Sequence, residues 1–147
     1  MPRNKEDIHI HMAEDDEDDR LIFQEAMAEA RVGNKITFSL DGQDLIDLLR
    51  RQGTFSGNTD PLPDIILLDL NMPRMDGREA LQIIKADPLL KRIPVLILTT
   101  SKAEADIYTT YNEGANSFIT KPVSFQGLVE AINTITDYWV NIVKLPD

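Results

Sequence analysis

Apolar residues along this chain fall into short blocks whose spacing switches between a period of two and a period of about 3.6. "IHIHMA" (8–13) alternates and reads as a strand. "EDDRLIFQEAMAEA" (17–30) reads as a helix, with Leu21, Ile22, Phe23, Ala26, Met27 and Ala30 as its buried side and Gly33 as its stop. "KITFSL" (35–40) alternates again, and "DGQDLIDLLRRQG" (41–53) is helical, started by Asp41 and ended by Gly53. "TFSGNTDPLP" is a polar, turn-rich loop. "DIILLDL" (64–70) and "IPVLILTT" (93–100) are near-continuous apolar runs, which suit strands buried on both faces. "DGREALQIIKAD" (76–87) is a helix that Pro88 helps to end, and "KAEADIYTTYNEG" (102–114) is a helix closed by Gly114. "ANSFIT" (115–120) is a fifth strand, and "SFQGLVEAINTITDYWVNIVKL" (124–145) a long last helix started by Ser124.

Strict alternation of strand and helix predicts an α/β fold, a doubly wound five-stranded parallel sheet with helices on both faces. No repeat, low-complexity stretch or linker interrupts it, so residues 1–147 read as one domain, with a core over about 8–139 and a tail over 140–147. In such sheets the site lies beyond the carboxyl ends of the strands, where the strand order reverses. Those positions are Glu14 and Asp15 after the first strand, Asp69 at the end of the third, Thr99, Thr100 and Ser101 at the end of the fourth, and Lys121 after the fifth. If strands one and three are neighbours, three carboxylates converge, joined by a hydroxyl and an ammonium.

Charge sharpens this picture. The 147 residues carry a net charge of -10, which argues against a nucleic-acid backbone or an anionic membrane as partner. Six acids stand in succession, Glu14 to Asp19, although two carboxylates about 4 Å apart repel by roughly 4 kcal/mol at an effective dielectric of 20. Asp16, Glu17, Asp18 and Asp19 suit a helix N-terminus, where the macrodipole favours negative charge. Glu14 and Asp15 are left to face a cation. Asp41, Asp60 and Asp76 read as caps or turn acids. An acid at the end of "IILLD" is costly to bury without a role, which favours function for Asp69. His9 and His11 share one face of a strand, but two ligands are too few for a metal site. The absence of cysteine excludes disulfides and thiol chemistry and suits a reducing, cytoplasmic setting. No stretch suits a signal peptide, and no run of 18 apolar residues suggests a membrane span.

The acid pair Glu14-Asp15, Asp69 in "LLDLNMPRMDG", Thr99 in "LILTTS" and Lys121-Pro122 in "FITKP" resemble the receiver domains of two-component response regulators. Thr99 lies 30 residues and Lys121 52 residues after Asp69, and the resemblance runs from about Ile8 to Trp139. It implies the sheet order 2-1-3-4-5. It implies that Asp69 is the phosphoacceptor, taking a phosphoryl group from a histidine kinase, with Thr99 and Lys121 completing the catalytic set. It implies Mg²⁺ on Asp15, Asp69 and the Asn71 backbone carbonyl, with Glu14 acting through a water. Thr99 is then expected to reach a phosphoryl oxygen only after transfer, and to form a switch with Phe118. Asn71 and Ser101 are the positions that tune dephosphorylation. Thr100 stands where a small residue is common.

The loop over 54–63, "RIPVLILTTS" and the ending "YWVNIVKLP" resemble the small response regulators that serve phytochrome-type histidine kinases. Only 25 residues follow Pro122, so the expected output is protein contact from a stand-alone receiver. The competing class is an Mg²⁺-dependent aspartate-nucleophile phosphohydrolase, which typically has a second acid two residues on; position 71 is Asn.

The last helix adds an expectation about assembly. Phe125, Leu128, Ile132, Ile135, Trp139 and Ile142 recur at steps of three and four and are expected to face the sheet, leaving Val129, Val140, Val143 and Leu145 off that stripe. A helix from 124 to 145 runs roughly 33 Å, against about 17–20 Å for a typical strand. Its apolar end therefore overhangs, and a homodimer through Tyr138, Trp139, Val140, Ile142, Val143 and Leu145 is expected to cover it.

Overall fold

The structure, a computed structural model, describes residues 8–100 and 103–142, with the side chains of 104, 105 and 140–142 outside the description. Ser101, Val143 and Leu145 therefore lie outside the described residues, as do the side chains of Val140 and Ile142. In chain order the elements are β1 Ile10–Ala13, α1 Glu17–Glu29, β2 Ile36–Ser39, α2 Gly42–Arg50, β3 Ile65–Leu68, α3 Gly77–Ala86, β4 Val95–Thr99, α4 Glu104–Asn112, β5 Ser117–Thr120 and α5 Phe125–Thr136. A short 3₁₀ turn, Gly53–Phe55, lies inside the loop after α2, and α5 continues as a π-helix over Asp137–Ile142.

All pairings are parallel and the order is β2-β1-β3-β4-β5, the receiver arrangement. Side chains alternate across the sheet, as the two-residue period of a strand demands. Ile10, Met12, Ile65, Leu67, Leu96 and Leu98 pack with Phe23, Ala26 and Met27 of α1 and Val129, Ile132 and Ile135 of α5. Ala13, Ile66, Leu68, Val95 and Ile97 pack on the other face with α2 and α3. The central strands β1, β3 and β4 are buried throughout, and the edge strands β2 and β5 only partly, which is why the apolar runs at 64–70 and 93–100 lack alternation.

Four helices start on a side chain that accepts from their own first turn. Asp16 accepts from Asp18 and Asp19, Asp41 from Asp44, Asp76 from Glu79 and Ser124 from Gly127. Glu17, Asp18 and Asp19 fill the first turn of α1, so most of the acid run is helix start.

Several expectations are corrected. Leu21 and Ile22 are 50% and 42% exposed, because Phe23, Ala26, Met27 and Ala30 at steps of three and four already fill the inward face of α1. Arg31 and Arg51, at φ 59° and 55°, turn the chain left-handed after α1 and α2, before Gly33 and Gly53 are reached. Phe125 is exposed and Val129 buried, reversing their assigned sides. Phe125 is the first residue of α5 and lines an open cleft, whereas Val129, a turn further in, packs in the core. The last helix is not uniformly α-helical to 145; it loosens to π geometry at Asp137.

Candidate functional site

Parallel register carries the chemistry-bearing residues to one end of the sheet. Ala13 pairs with Leu68, so the next residues, Glu14 and Asp69, emerge side by side. The Asp69 amide donates to the Ala13 carbonyl at 3.3 Å and the Glu14 amide to the Ser39 carbonyl at 3.0 Å, so both acids leave strands that are still hydrogen-bonded. Thr99 pairs with Thr120, and the Lys121 amide donates to the Thr99 carbonyl at 2.7 Å. Gly77 closes the floor. A Cβ there would lie 2.1 Å from the Asp69 carbonyl oxygen, so only glycine lets α3 start against the acceptor strand.

Asp69 is 7% exposed and fully engaged. Its Oδ1 accepts from the Thr99 hydroxyl at 2.9 Å and from the Asn71 amide at 3.2 Å. Its Oδ2 accepts from Lys121 Nζ at 3.1 Å. Lys121 also donates to Glu14 Oε1 and lies 3.6 Å from Asp19 Oδ2. Glu14 is 1% exposed, and burial pushes its carboxyl up to about 7 against the opposing pull of Lys121. Burial also works against the Lys121 ammonium, but the hydrogen bond to Glu14 and the charges of Asp69 and Glu14 outweigh it and raise its pKa. The charged lysine thus holds two acids that would otherwise repel.

The carboxylate oxygens of Glu14, Asp15 and Asp69 lie within 4.8 Å of one another, the one such group of three among the described residues. An all-oxygen donor set with one exposed and two buried acids fits a small hard cation that keeps part of its water. The structure thus brings together Glu14, Asp15, Asp69, Asn71, Thr99 and Lys121, as the sequence led one to expect. The Thr99 hydroxyl is fully buried and takes Asp69 Oδ1 as its partner. Phe118 is partly buried and packs against the core on the α2 and α3 face, and its amide donates to the Tyr111 hydroxyl at 3.0 Å. Asp19 lies 3.6 Å from Lys121 Nζ, and Arg78 makes a two-point hydrogen bond to Asp106; neither stands out for such a contact in the sequence.

His9 and His11 form no metal pair with a third ligand among the described residues. His9 Nε2 and His11 Nδ1 each hydrogen-bond with the Thr37 hydroxyl at 2.6 Å, and His11 Nε2 with the Ser39 hydroxyl at 2.6 Å. Burial, then His9, pulls the His11 pKa down to about 3.

The sequence matches the response regulator receiver domain family over residues 10–133. The chain belongs to that family. Response regulator Rcp1 of Synechocystis sp. is 36% identical over 137 residues, covering 93% of this chain and 92% of that protein. The crystal structure of the phosphorylated cyanobacterial phytochrome response regulator RcpA superposes with a TM-score of 0.88 at 38% identity, covering 96% of this chain and 99% of that one. The Mn²⁺-bound form of Rcp1 superposes with a TM-score of 0.86 at 36% identity, covering 95% and 99%. This receiver is therefore homologous to phytochrome response regulators. Among its described residues no helix is long and apolar enough to cross a membrane.

Proposed function

We propose that this receiver is a single-domain response regulator that takes a phosphoryl group on Asp69 from the phosphohistidine of a histidine kinase and signals by protein contact. The carrying observation is the grip on Asp69: hydroxyl and amide on one oxygen, ammonium on the other, with Glu14 and Asp15 within 4.8 Å. An Asp69 oxygen attacks phosphorus, the P–N bond breaks, and its electron pair returns to the imidazole. Lys121 follows the negative charge from the carboxylate to the phosphoryl oxygens, and Thr99 is already placed to donate to one of them. Asp15, Asp69 and the Asn71 carbonyl would hold Mg²⁺, with Glu14 acting through a water, and the ion would supply the remaining charge neutralisation. Asn71 and Ser101, two positions after Asp69 and Thr99 in the sequence, are the residues assigned to tuning dephosphorylation. Asn71 has no proton to give as a general acid, which disfavours the phosphohydrolase reading.

The phytochrome relatives support a phytochrome-type kinase as the donor. A cleft of about 300 Å³ beside the site is lined by Glu14, Ile22, Lys121, Val123 and Phe125. Ile22, Val123 and Phe125 are exposed, so an apolar rim awaits a protein that brings its phosphohistidine to Asp69. The expected assembly is a homodimer through the end of α5, and the expected location the cytoplasm. Incubation of the full chain with phosphoramidate and Mg²⁺, read by intact mass, tests the acceptor. One phosphoryl group on the wild type and none on Asp69→Asn is the expected result; loading of the variant overturns the assignment.

A further inference from the structure

Arg74 stands in the loop that joins β3 to α3, five residues after Asp69 and three after Asn71. Its backbone is left-handed, at φ 62°, a conformation that residues with a Cβ rarely adopt. A partner outside the loop holds it there. Arg74 Nε donates to Asp41 Oδ2 at 2.7 Å, while Asp41 Oδ1 accepts from the Asp44 amide at 2.8 Å. One buried carboxylate thus caps α2 and grips the loop at once. Burial works against the charge on Asp41, but the Arg74 hydrogen bond and the amides of Asp44 and Gln43 outweigh it and hold the carboxyl below its ordinary pKa.

Backbone contacts flank this ion pair. The Gly42 amide donates to the Met75 carbonyl at 2.9 Å. A Cβ on Gly42 would lie 2.1 Å from that same oxygen, so the start of α2 and the loop meet main chain to main chain. The Gly77 amide closes the loop on the Leu70 carbonyl at 3.0 Å. Asn71 is exposed between the buried Leu70 and Met72, and its amide donates to Asp69 Oδ1 at 3.2 Å.

We propose that the Asp41–Arg74 ion pair is a strut that sets the affinity of the acid site for its divalent cation, by holding the loop that presents the Asn71 carbonyl. This rests on the reading of Asp15, Asp69 and the Asn71 carbonyl as the ligands. Asp15 and Asp69 stand within two residues of the ends of β1 and β3, so the sheet places them. The third donor belongs to a loop, and its place depends on what holds that loop. Mg²⁺ demands near-ideal octahedral geometry at about 2.0–2.1 Å, so a small displacement of one donor weakens binding. Asp41 and Arg74 are positioning residues that act through the loop. Charge alone makes a different prediction: loss of the Arg74 cation leaves the acid site more negative and strengthens cation binding. Loss of a strut weakens it.

The experiment is a Mn²⁺ titration of the full chain, with free Mn²⁺ read by electron paramagnetic resonance and the fold of each variant checked by melting without metal. Mn²⁺ shares the preference of Mg²⁺ for carboxylate, carbonyl and water oxygens. Groups that orient a metal ligand directly change affinity by about 10–100-fold; for this pair, acting through the loop, Arg74→Gln and Asp41→Asn are each expected to weaken Mn²⁺ binding by about fivefold. Asparagine still caps α2. The double variant is expected to bind no more weakly than either single one, because each removes the same interaction. Arg74→Asn, which tolerates the left-handed backbone, serves if Arg74→Gln does not fold. An affinity of the Arg74 variant equal to or above that of the wild type overturns the strut, whatever Asp41→Asn does. Unchanged affinity in Asp41→Asn overturns it as well, as does a double variant weakened by the product of the two effects. In these cases the cation site stands. Wild type that binds no Mn²⁺ overturns the cation reading and the strut with it.

Discussion

Thr99 Oγ1 donates to Asp69 Oδ1 at 2.9 Å across the ends of β4 and β3, and neither residue is solvated. A neutral hydroxyl on a buried carboxylate contributes about 1.5–3 kcal/mol, the range of hydrogen bonds to charged groups. Thr99→Val keeps the volume but leaves Asp69 Oδ1 with the Asn71 amide alone. The expected outcome is a stability loss of about 1–2 kcal/mol by urea melting with phosphoryl uptake retained. Loss of uptake in a folded variant shows that the hydroxyl acts in transfer, not after it.

Asp15 is the exposed member of the acid triad, so its removal should cost the fold little. Binding to the folded state alone adds about 2.7 kcal/mol at 100 times the dissociation constant. Mg²⁺ is expected to raise the wild-type melting temperature by several degrees and that of Asp15→Asn by far less. Because Glu14 and Asp69 lie so close, the variant without Mg²⁺ should melt no lower than the wild type. An undiminished Mg²⁺ shift in the variant removes Asp15 from the ligand set.

Gly77→Ala tests the floor of the site. The added Cβ meets the Asp69 carbonyl oxygen and Leu70 Cα at 2.1 and 2.8 Å, and neither backbone atom can step aside cheaply. Overpacking of this kind costs about 1–3 kcal/mol. The expected variant is less stable and accepts phosphoryl more slowly, since α3 moves away from Asp69. Unchanged stability in denaturant would show that α3 shifts freely.

Much of this fold lies open in the primary structure because the physics is local. Asp41, Asp76 and Ser124 cap helices by reaching their own first turns, and two-sided burial writes itself as "IILL" and "VLIL". What stayed hidden was set by partners distant in the chain. Arg31 and Arg51 take left-handed conformations that glycine usually fills, so Gly33 and Gly53 misled. The three-four stripe puts Phe125 on the inward side of α5 and Val129 off it, and only the packing of α5 against the core separates them. The candidate site was legible as residue types at strand ends, since each follows its strand directly. The Arg78–Asp106 fork was not, because it joins residues 28 apart through the orientation of α3 against α4.

His11 gives a pH dependence with a definite sign. Its folded pKa of about 3 lies below the ordinary 6.5, so the unfolded chain binds the proton first. Its contribution is complete above pH 6.5 and is lost progressively as pH falls toward 3, at most about 1.4 kcal/mol per pH unit. Glu14, raised to about 7, works the opposite way between 4.5 and 7, which makes the variant comparison necessary. His11→Gln can still reach Thr37 and Ser39 but does not titrate. Between pH 7 and 4 the wild type is expected to lose more stability than the variant; parallel curves would show that His11 is not held neutral by the fold.

The end of α5 supplies the final expectation. Trp139, assigned to both the inward stripe and the dimer contact, packs against the chain's own core, so it supports the helix end from beneath. Tyr138 meets it edge to face at 5.5 Å and is 53% exposed, presenting an aromatic face to solvent. The helix widens to π geometry from Asp137, where the α-helical repeat no longer keeps successive side chains on the sheet-facing stripe. An exposed tyrosine backed by a packed tryptophan is a suitable anchor for a second copy. Tyr138→Glu leaves the core contact of Trp139 in place and puts a charge at the expected twofold contact. Sedimentation at micromolar concentration is expected to show a dimer for the full wild-type chain and a folded monomer for Tyr138→Glu. A monomeric wild type removes the dimer, and a dimer that survives both this substitution and deletion of 138–147 places its interface elsewhere on the receiver.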